Sequence, residues 1–381
     1  MRLLLVIPSN SGTIARVSYN LYKAIKQFTT FKIVVVNLSD SQTPGSFDFG
    51  NDVYTFQRSK YHNPLTSFYH KVIFVSKIKK SLSIDISIST LLGCDIINAI
   101  TKKHDIAIGI FHAPISQVKI IGIGSYLLSI IAYKLFLDKL DRRVAVSQTV
   151  KQDLERFSRK SVEVIFNIHD FESISKNAEA DVLDKDLKLL NDPFIIFVGH
   201  LYDIKGPDRL IKAFKLSGLN RKYNLVFVGD DVMCSLSKYR DLVRKLDLEK
   251  NVHFIGPRAN PYPYIKKARV LISPSRSEGL PGVIIEALYL KTSVISTNSS
   301  RGVFEIMNVD QLYDKNLKSN LKTKYGIITP NLPKNENHNI RKLADAMEEE
   351  LSREVSVFNF DYNRFSAHTV INKLLGDYLN L

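Results

Sequence analysis

Short apolar runs alternate with amphipathic stretches along most of the chain. "LLLVIP" near the N-terminus has strand length, and residues 15–28 set Val17, Leu21, Ile25 and Phe28 at helical spacing. "KIVVVNL", "DISIS", "DIAIGIFH", "RRVAVS" and "VEVIFN" follow as strands, with "QTVKQDLERF" as a helix between the last two. Apolar runs separated by helical patterns predict a parallel sheet covered on both faces. The polar stretch 176–192, "KNAEADVLDKDLKLLND", interrupts the pattern and reads as a linker. The alternation then restarts with "PFIIFVG", the helix "PDRLIKAFKL", "NLVFVG", "VHFIG", "RVLIS", "SVIST" and "YGIIT". The expected architecture is α/β, two doubly wound Rossmann-like domains in tandem, over 1–175 and 176–362. A C-terminal helix in 363–381 would pack through Phe365, Val370, Leu374 and Leu375, back toward the first domain.

Length and composition agree with that picture. A chain of 381 residues suits two domains. Apolar content of 45% and charged content of 24% are those of a soluble globular protein. Cys94 and Cys234 lie far apart and form no metal-type spacing, which suits a reducing, cytoplasmic compartment. The opening "MRLLLVIPSNSG" reads as a first strand, since its apolar run is too short for a signal peptide. The most apolar stretch, 120–137, carries Lys134 and reads as a buried or interfacial helix rather than a span.

Charge adds a constraint. The formal net charge is +15, and residues 1–170 hold 22 Lys and Arg against 12 Asp and Glu. Such an excess attracts polyanions, either nucleic acid or an anionic membrane face. No nucleic-acid-binding motif accompanies it. Residues 64–83, "PLTSFYHKVIFVSKIKKSLS", set Phe68, Val72, Phe74, Val75 and Ile78 among Lys71, Lys77, Lys79 and Lys80. That pattern suits anionic headgroups, or equally an ordinary surface helix.

Candidate chemistry centres on "SRSEGLPGVIIEAL", residues 275–288. "RVLISPS" is a strand running into a turn, and Pro281 suits the first turn of a helix burying Val283, Ile284, Ala287 and Leu288. The first amides of that helix have no helical partner and carry the positive end of its dipole. A phosphate fits there, at the carboxyl edge of a parallel sheet. Glu278 in the preceding loop could bond sugar hydroxyls, and Glu286 could hold the two hydroxyls of a ribose. The plainer alternative is that Glu278 complements the helix dipole and Glu286 faces solvent. The second constellation is 197–214, "FVGHLYDIKGPDRLIKAF", where Lys205 follows a strand and precedes a helix. It is either a cation for a leaving diphosphate or a solvated loop lysine.

Taken together, "VG-x-L-x3-KG-x3-LI-x-AF" and "EGLP-x-V-x2-EAL" resemble the nucleotide-sugar domain of family 4 glycosyltransferases. Those are retaining enzymes of the GT-B fold, with two Rossmann-like domains facing across a cleft. "VIPSNSGTIARVSYNLYKAI", "AVSQTVKQDL", "VEVIFNIHD" and "YGIITPN" extend the resemblance along most of the chain. "NPYPYIKKA" and "SSRGVFEIM" resemble members that build bacterial surface polysaccharides such as O-antigen or capsule.

The resemblance implies roles. Glu278 would contact the donor hexose, Glu286 the ribose, and Lys205 the diphosphate, with the backbone of Gly279, Leu280, Pro281, Gly282 and Val283. Gly12 would approach the phosphates, and His112 would stand near sugar and acceptor; an ordinary turn glycine and a structural histidine are the alternatives. His200 stands where the family usually has Arg, and Arg258, Arg276 and Arg301 are candidates to compensate. "GDD" at 229–231 reads as a turn and not a metal pair. No metal or other cofactor is expected. The implied activity moves a hexose or N-acetylhexosamine from a nucleotide-diphosphate-sugar, UDP before GDP, to a lipid-linked oligosaccharide. Domain 1–175 would bind the acceptor and domain 176–362 the donor. The protein would lie on the inner face of the cytoplasmic membrane through its basic N-terminal domain, without nucleic acid. An enzyme of this fold with a soluble acceptor, a nucleotide-sugar epimerase and a basic nucleic-acid-binding protein are the rival readings.

Overall fold

The computed structural model describes residues 1–39, 46–57, 63–115, 123–183, 186, 192–231, 233–333, 335–353 and 358–379. Residues 120–122 of the apolar stretch, and 184–185 and 187–191 of the polar one, lie outside them. The chain divides into two compact units, Met1–Asp170 with Asn363–Leu381, and Phe171–Tyr362. The division falls five residues before the boundary drawn from the sequence. The reason is the helix Phe171–Ala178, which packs on the second unit's helix Tyr262–Lys267.

The first unit holds β1 (Arg2–Ile7), β2 (Lys32–Asn37), β3 (Val53–Thr55), β4 (Ile86–Thr90), β5 (Ile106–Phe111), β6 (Arg142–Ala145) and β7 (Glu163–Val164). They form one sheet, ordered β3-β2-β1-β4-β5-β6-β7, with every pair parallel. Leu3 to Ile7 are fully buried, because a central parallel strand is covered on both faces and has no polar side.

The first helix, Gly12–Phe28, buries Ala15, Ser18, Leu21 and Ile25. Val17 is half-buried and Phe28 exposed, so the covered face is turned from the expected one. Ser18 sits on that face because its hydroxyl bonds Thr90 Oγ1 at 3.0 Å. In helix Pro64–Ser81, Lys79 departs from the expected charged face. It is buried, 2.7 Å from both Asp105 Oδ2 and Asn98 Oδ1. Burial pushes the ammonium pKa down against the pull of Asp105. The helix Ala367–Leu375 returns to this unit with Val370, Ile371, Leu374 and Leu375 buried, against helix Gly12–Phe28. Arg142 fixes its end by donating to the carbonyls of Lys373 (3.0 Å) and Leu374.

The second unit holds β8 (Phe194–Val198), β9 (Asn224–Val228), β10 (Val252–Gly256), β11 (Val270–Ser273), β12 (Val294–Thr297), β13 (Leu321–Thr323) and β14 (Gly326–Thr329). The order is β10-β9-β8-β11-β12-β14-β13, with only β13 antiparallel. The three-residue strands β3 and β13 add edges that hydrophobic patterning does not signal. Helix Gly282–Tyr289 is buried from Ile284 to Leu288, and Val283 is half-buried rather than in the core.

Candidate functional site

In the second sheet β8 and β11 are neighbours, but the chain leaves β8 toward β9 and β11 toward β12. Loops leaving adjacent strands in opposite directions open a crevice at the carboxyl edge. Lys205 follows β8 and Glu278 follows β11, and Lys205 Nζ stands 2.7 Å from Glu278 Oε1. Ser275 Oγ donates to the same oxygen at 2.7 Å. Burial works against the Lys205 charge, but the Glu278 carboxylate outweighs it and holds the pKa above its ordinary value. At neutral pH the crevice therefore contains a fixed cation.

Both loops are cross-braced from behind. Arg276 bonds Asp208 through two nitrogens, at 2.9 and 2.8 Å, and Glu336 at 2.6 Å. Arg209, buried, bonds Glu336 at 3.1 and 2.6 Å, Asn331 Oδ1 at 2.9 Å and the Pro274 carbonyl at 3.3 Å. Burial alone would raise the Glu336 pKa, but Arg209, with Arg276 behind it, brings it down to about 2. Gly206 has φ +71°, and a Cβ there would meet the Pro274 carbonyl oxygen at 2.4 Å. The two loops thus touch backbone to backbone, and only glycine allows it.

Helix Gly282–Tyr289 starts beside this pair. Among the described residues no hydrogen bond is donated by the amides of Gly279, Leu280, Gly282 or Val283, and Pro281 has none to give. Gly302 guards the loop from the far side, where a Cβ would stand 2.5 Å from the Gly279 carbonyl oxygen. Glu286 is buried and does not face solvent. His200, just past β8, has its Nδ1 buried without a partner. Burial lowers its pKa, and the Lys205 charge lowers it further.

Arg258 is placed elsewhere. It is 8% exposed and its fork grips Asp186 at 2.9 Å through two nitrogens. Arg301 likewise pairs with Asp310 at 2.6 and 2.8 Å, and Arg276 is the brace described above. Asp231 of the "GDD" accepts from the amides of Ser235 (2.6 Å) and Leu236 (3.1 Å), capping helix Leu236–Lys245. Among the described residues no three His, Cys, Asp or Glu side chains are grouped to hold a metal ion.

The first unit presents a different edge. Gly12, exposed and with φ +85°, opens the helix after β1. His112 follows β5, and both its ring nitrogens are buried without a hydrogen-bond partner. Burial pushes its pKa down to about 4, with the Asn167 side chain opposing. A cavity of about 400 Å³ opens past the ends of β1, β2 and β4, between Pro8, Leu38, Phe68, Leu91 and Ile97, with Lys71 the one charged residue among its described walls. Leu91, at φ +92°, holds a conformation costly for a side chain other than glycine.

One signal escaped the sequence. Buried polar atoms normally find partners. Those left without one include Asn10, His112, His200, Ser299 and Thr329, all at or within three residues of the carboxyl end of a strand. Asn10, Ser299 and Thr329 carry no spacing that sets them apart from ordinary turn residues.

Residues 180–321 match the family model described as glycosyl transferases group 1. The chain is 28% identical over 207 residues to an uncharacterized glycosyltransferase of Methanocaldococcus jannaschii, covering 52% of this chain and 50% of that one. It is 31% identical over 154 residues, 40% of each chain, to a Campylobacter jejuni enzyme. That enzyme is named N-acetylgalactosamine-N,N'-diacetylbacillosaminyl-diphospho-undecaprenol 4-alpha-N-acetylgalactosaminyltransferase. The chain thus spans half the length or less of these curated relatives. Among solved structures, Anabaena HepE in complex with UDP and glucose superposes with a TM-score of 0.71 at 15% identity, over 100% of both chains. The chain has the GT-B fold, and residues 180–321, which form most of its second unit, are similar to the group 1 glycosyl transferases.

Proposed function

We propose that the chain is a retaining, metal-independent glycosyltransferase. It moves a hexose or N-acetylhexosamine from a nucleotide-diphosphate-sugar, UDP-linked before GDP-linked, to a lipid-linked oligosaccharide of a bacterial surface polysaccharide. The observation that carries this reading is the Lys205–Glu278 pair, set in the β8/β11 crevice beside a helix N-terminus with uncommitted amides. A diphosphate in that crevice draws Lys205 toward itself, leaving Glu278 to accept from sugar hydroxyls. Glu286 holds the ribose. As the C1–O bond breaks, its electron pair passes to the diphosphate, where Lys205 and the helix amides stabilise the charge. The acceptor oxygen bonds C1 on the face the diphosphate leaves, and its proton passes to the departing phosphate oxygen.

The acceptor half is supported by the first unit's apolar cavity with one lysine, which suits an amphiphile working at the inner face of the cytoplasmic membrane. The printed name of the Campylobacter relative, whose acceptor is a diphospho-undecaprenol, supports the same class.

The test is thermal unfolding with UDP, GDP, ADP and CMP, each with EDTA. A ligand of the native state adds about 2.7 kcal/mol at a hundredfold excess over its Kd. The expected result is a rise with one nucleoside diphosphate that Glu286→Ala abolishes; no rise with any of them ends the donor assignment.

A further inference from the structure

Helix Ile123–Phe136 carries a single charged residue, Lys134, and apolar or small residues over most of its circumference. One face meets the core through Ser129 and Tyr133, the latter against Phe111 and Phe157. The opposite face is open: Leu127, Leu128, Ile131 and Leu135 are 54%, 69%, 54% and 61% exposed. At about 100° per residue these four share roughly one third of the circumference. A helix with apolar residues on opposite faces needs an apolar cover on both, a core on one and a partner or membrane on the other. Its 14 residues reach only about 21 Å, too short to cross a hydrocarbon layer of about 30 Å. No described helix is long and apolar enough to cross a membrane.

Charge selects what covers the stripe. Residues 106–137 contain no Asp or Glu, and the exposed Lys134 and Lys139 stand at its edge and end. Helix Pro64–Ser81 packs on the same neighbour, helix Leu92–Thr101. It comes from an equally carboxylate-free stretch, 53–84, and adds exposed Leu65, Tyr69, Lys77 and Lys80. A second copy of the chain would set lysine against lysine. It would also bury on the order of 200 Å² a side, from about 21 by 10 Å, against about 800 Å² for a stable interface. An anionic bilayer accepts the leucines at its acyl boundary and pairs the lysines with headgroups.

We propose that helix Ile123–Phe136 is the membrane-inserting element, lying in the plane of an anionic bilayer with Leu127, Leu128, Ile131 and Leu135 buried in it. This rests on the lipid-linked-acceptor reading and deepens it by moving the lipid contact from the basic helix to the leucine face.

The test is flotation with vesicles of mixed phosphatidylglycerol and phosphatidylcholine. The double variant Leu128→Gln/Leu135→Gln is expected to bind about tenfold more weakly or worse. Lys134→Gln/Lys139→Gln should lose about fivefold per lysine on the anionic vesicles and nothing on pure phosphatidylcholine. All four side chains are exposed, and an unchanged melting temperature verifies the fold. Three results overturn the proposal: wild type that does not float, a leucine variant that floats like wild type, or Leu65→Gln/Tyr69→Gln alone abolishing flotation. A nucleotide shift retained without flotation removes this inference alone, and flotation without any nucleotide shift removes the donor reading alone.

Discussion

The carboxyl edges of the two sheets share a topology and are finished in opposite ways. In the second unit the edge is built from opposed charges, with Lys205 on Glu278 and Arg209 and Arg276 on Glu336. In the first it is a largely apolar cavity with one lysine among its described lining residues, and the histidine that follows β5 is kept neutral by burial. The parallel sheet supplies the same strand ends to both. Side chains then decide whether an edge suits an anion or a greasy ligand.

The sharpest way to break the comparison is to remove one lysine from each edge. Lys205→Ala should lower the turnover of the proposed transfer about 100- to 1,000-fold, as loss of a charge aimed at the leaving group does. Lys71→Ala should change it less than about tenfold. Equal losses in kcat would mean that the two edges share one electrostatic task.

Bracing is next in size. Arg209→Ala removes the buried partner of Glu336 and should cost about 3 kcal/mol in urea unfolding. Arg276→Ala, at a more exposed pair, should cost about 1 kcal/mol. Glycine gives a smaller contrast. Gly206→Ala meets the Pro274 carbonyl and should cost about 2 kcal/mol, whereas Gly12→Ala, with nothing within 4 Å, should cost about 1 kcal/mol for its positive φ alone.

The last contrast is in pH. Burial holds His112 and His169 of the first unit at about 4, below the ordinary 6.5, with the Arg16 charge also acting on His169. The unfolded chain takes those protons first, so stability present above pH 6.5 drains away as pH falls through 4. Glu336 of the second unit, at about 2 against 4.5, loses its contribution only between pH 4.5 and 2. Hydrogen exchange followed by unit should therefore show the first loosening earlier on acidification, and His112→Phe should flatten that slope.

Most of the fold was legible because strands buried on both faces, such as 3–7 and 194–197, are unbroken apolar runs. Helix faces were less so: Ser18 replaced an expected apolar contact through its bond to Thr90, and Lys79 went inward to Asp105. At the site, Lys205, Glu278 and Glu286 stood out by their place after strands and around a helix start. The brace did not. Arg209, Asn331 and Glu336 meet across more than a hundred residues of sequence, and no local pattern links them. Arg258 looked equally available in sequence, but its partner Asp186 lies 72 residues away.

The return of helix Ala367–Leu375 to the first unit makes the second an insertion within the first. Its first and last residues, Phe171 and Tyr362, meet in a tilted ring contact with centroids 4.7 Å apart, so the inserted unit begins and ends at one spot. On the ribosome this fixes an order. The first sheet is complete once β7 emerges, but Arg142 and helix Gly12–Phe28 must wait for the whole insertion, roughly 10–40 s of synthesis. During that interval the nascent first unit lacks its closing helix, and binding of that surface by a chaperone should peak there.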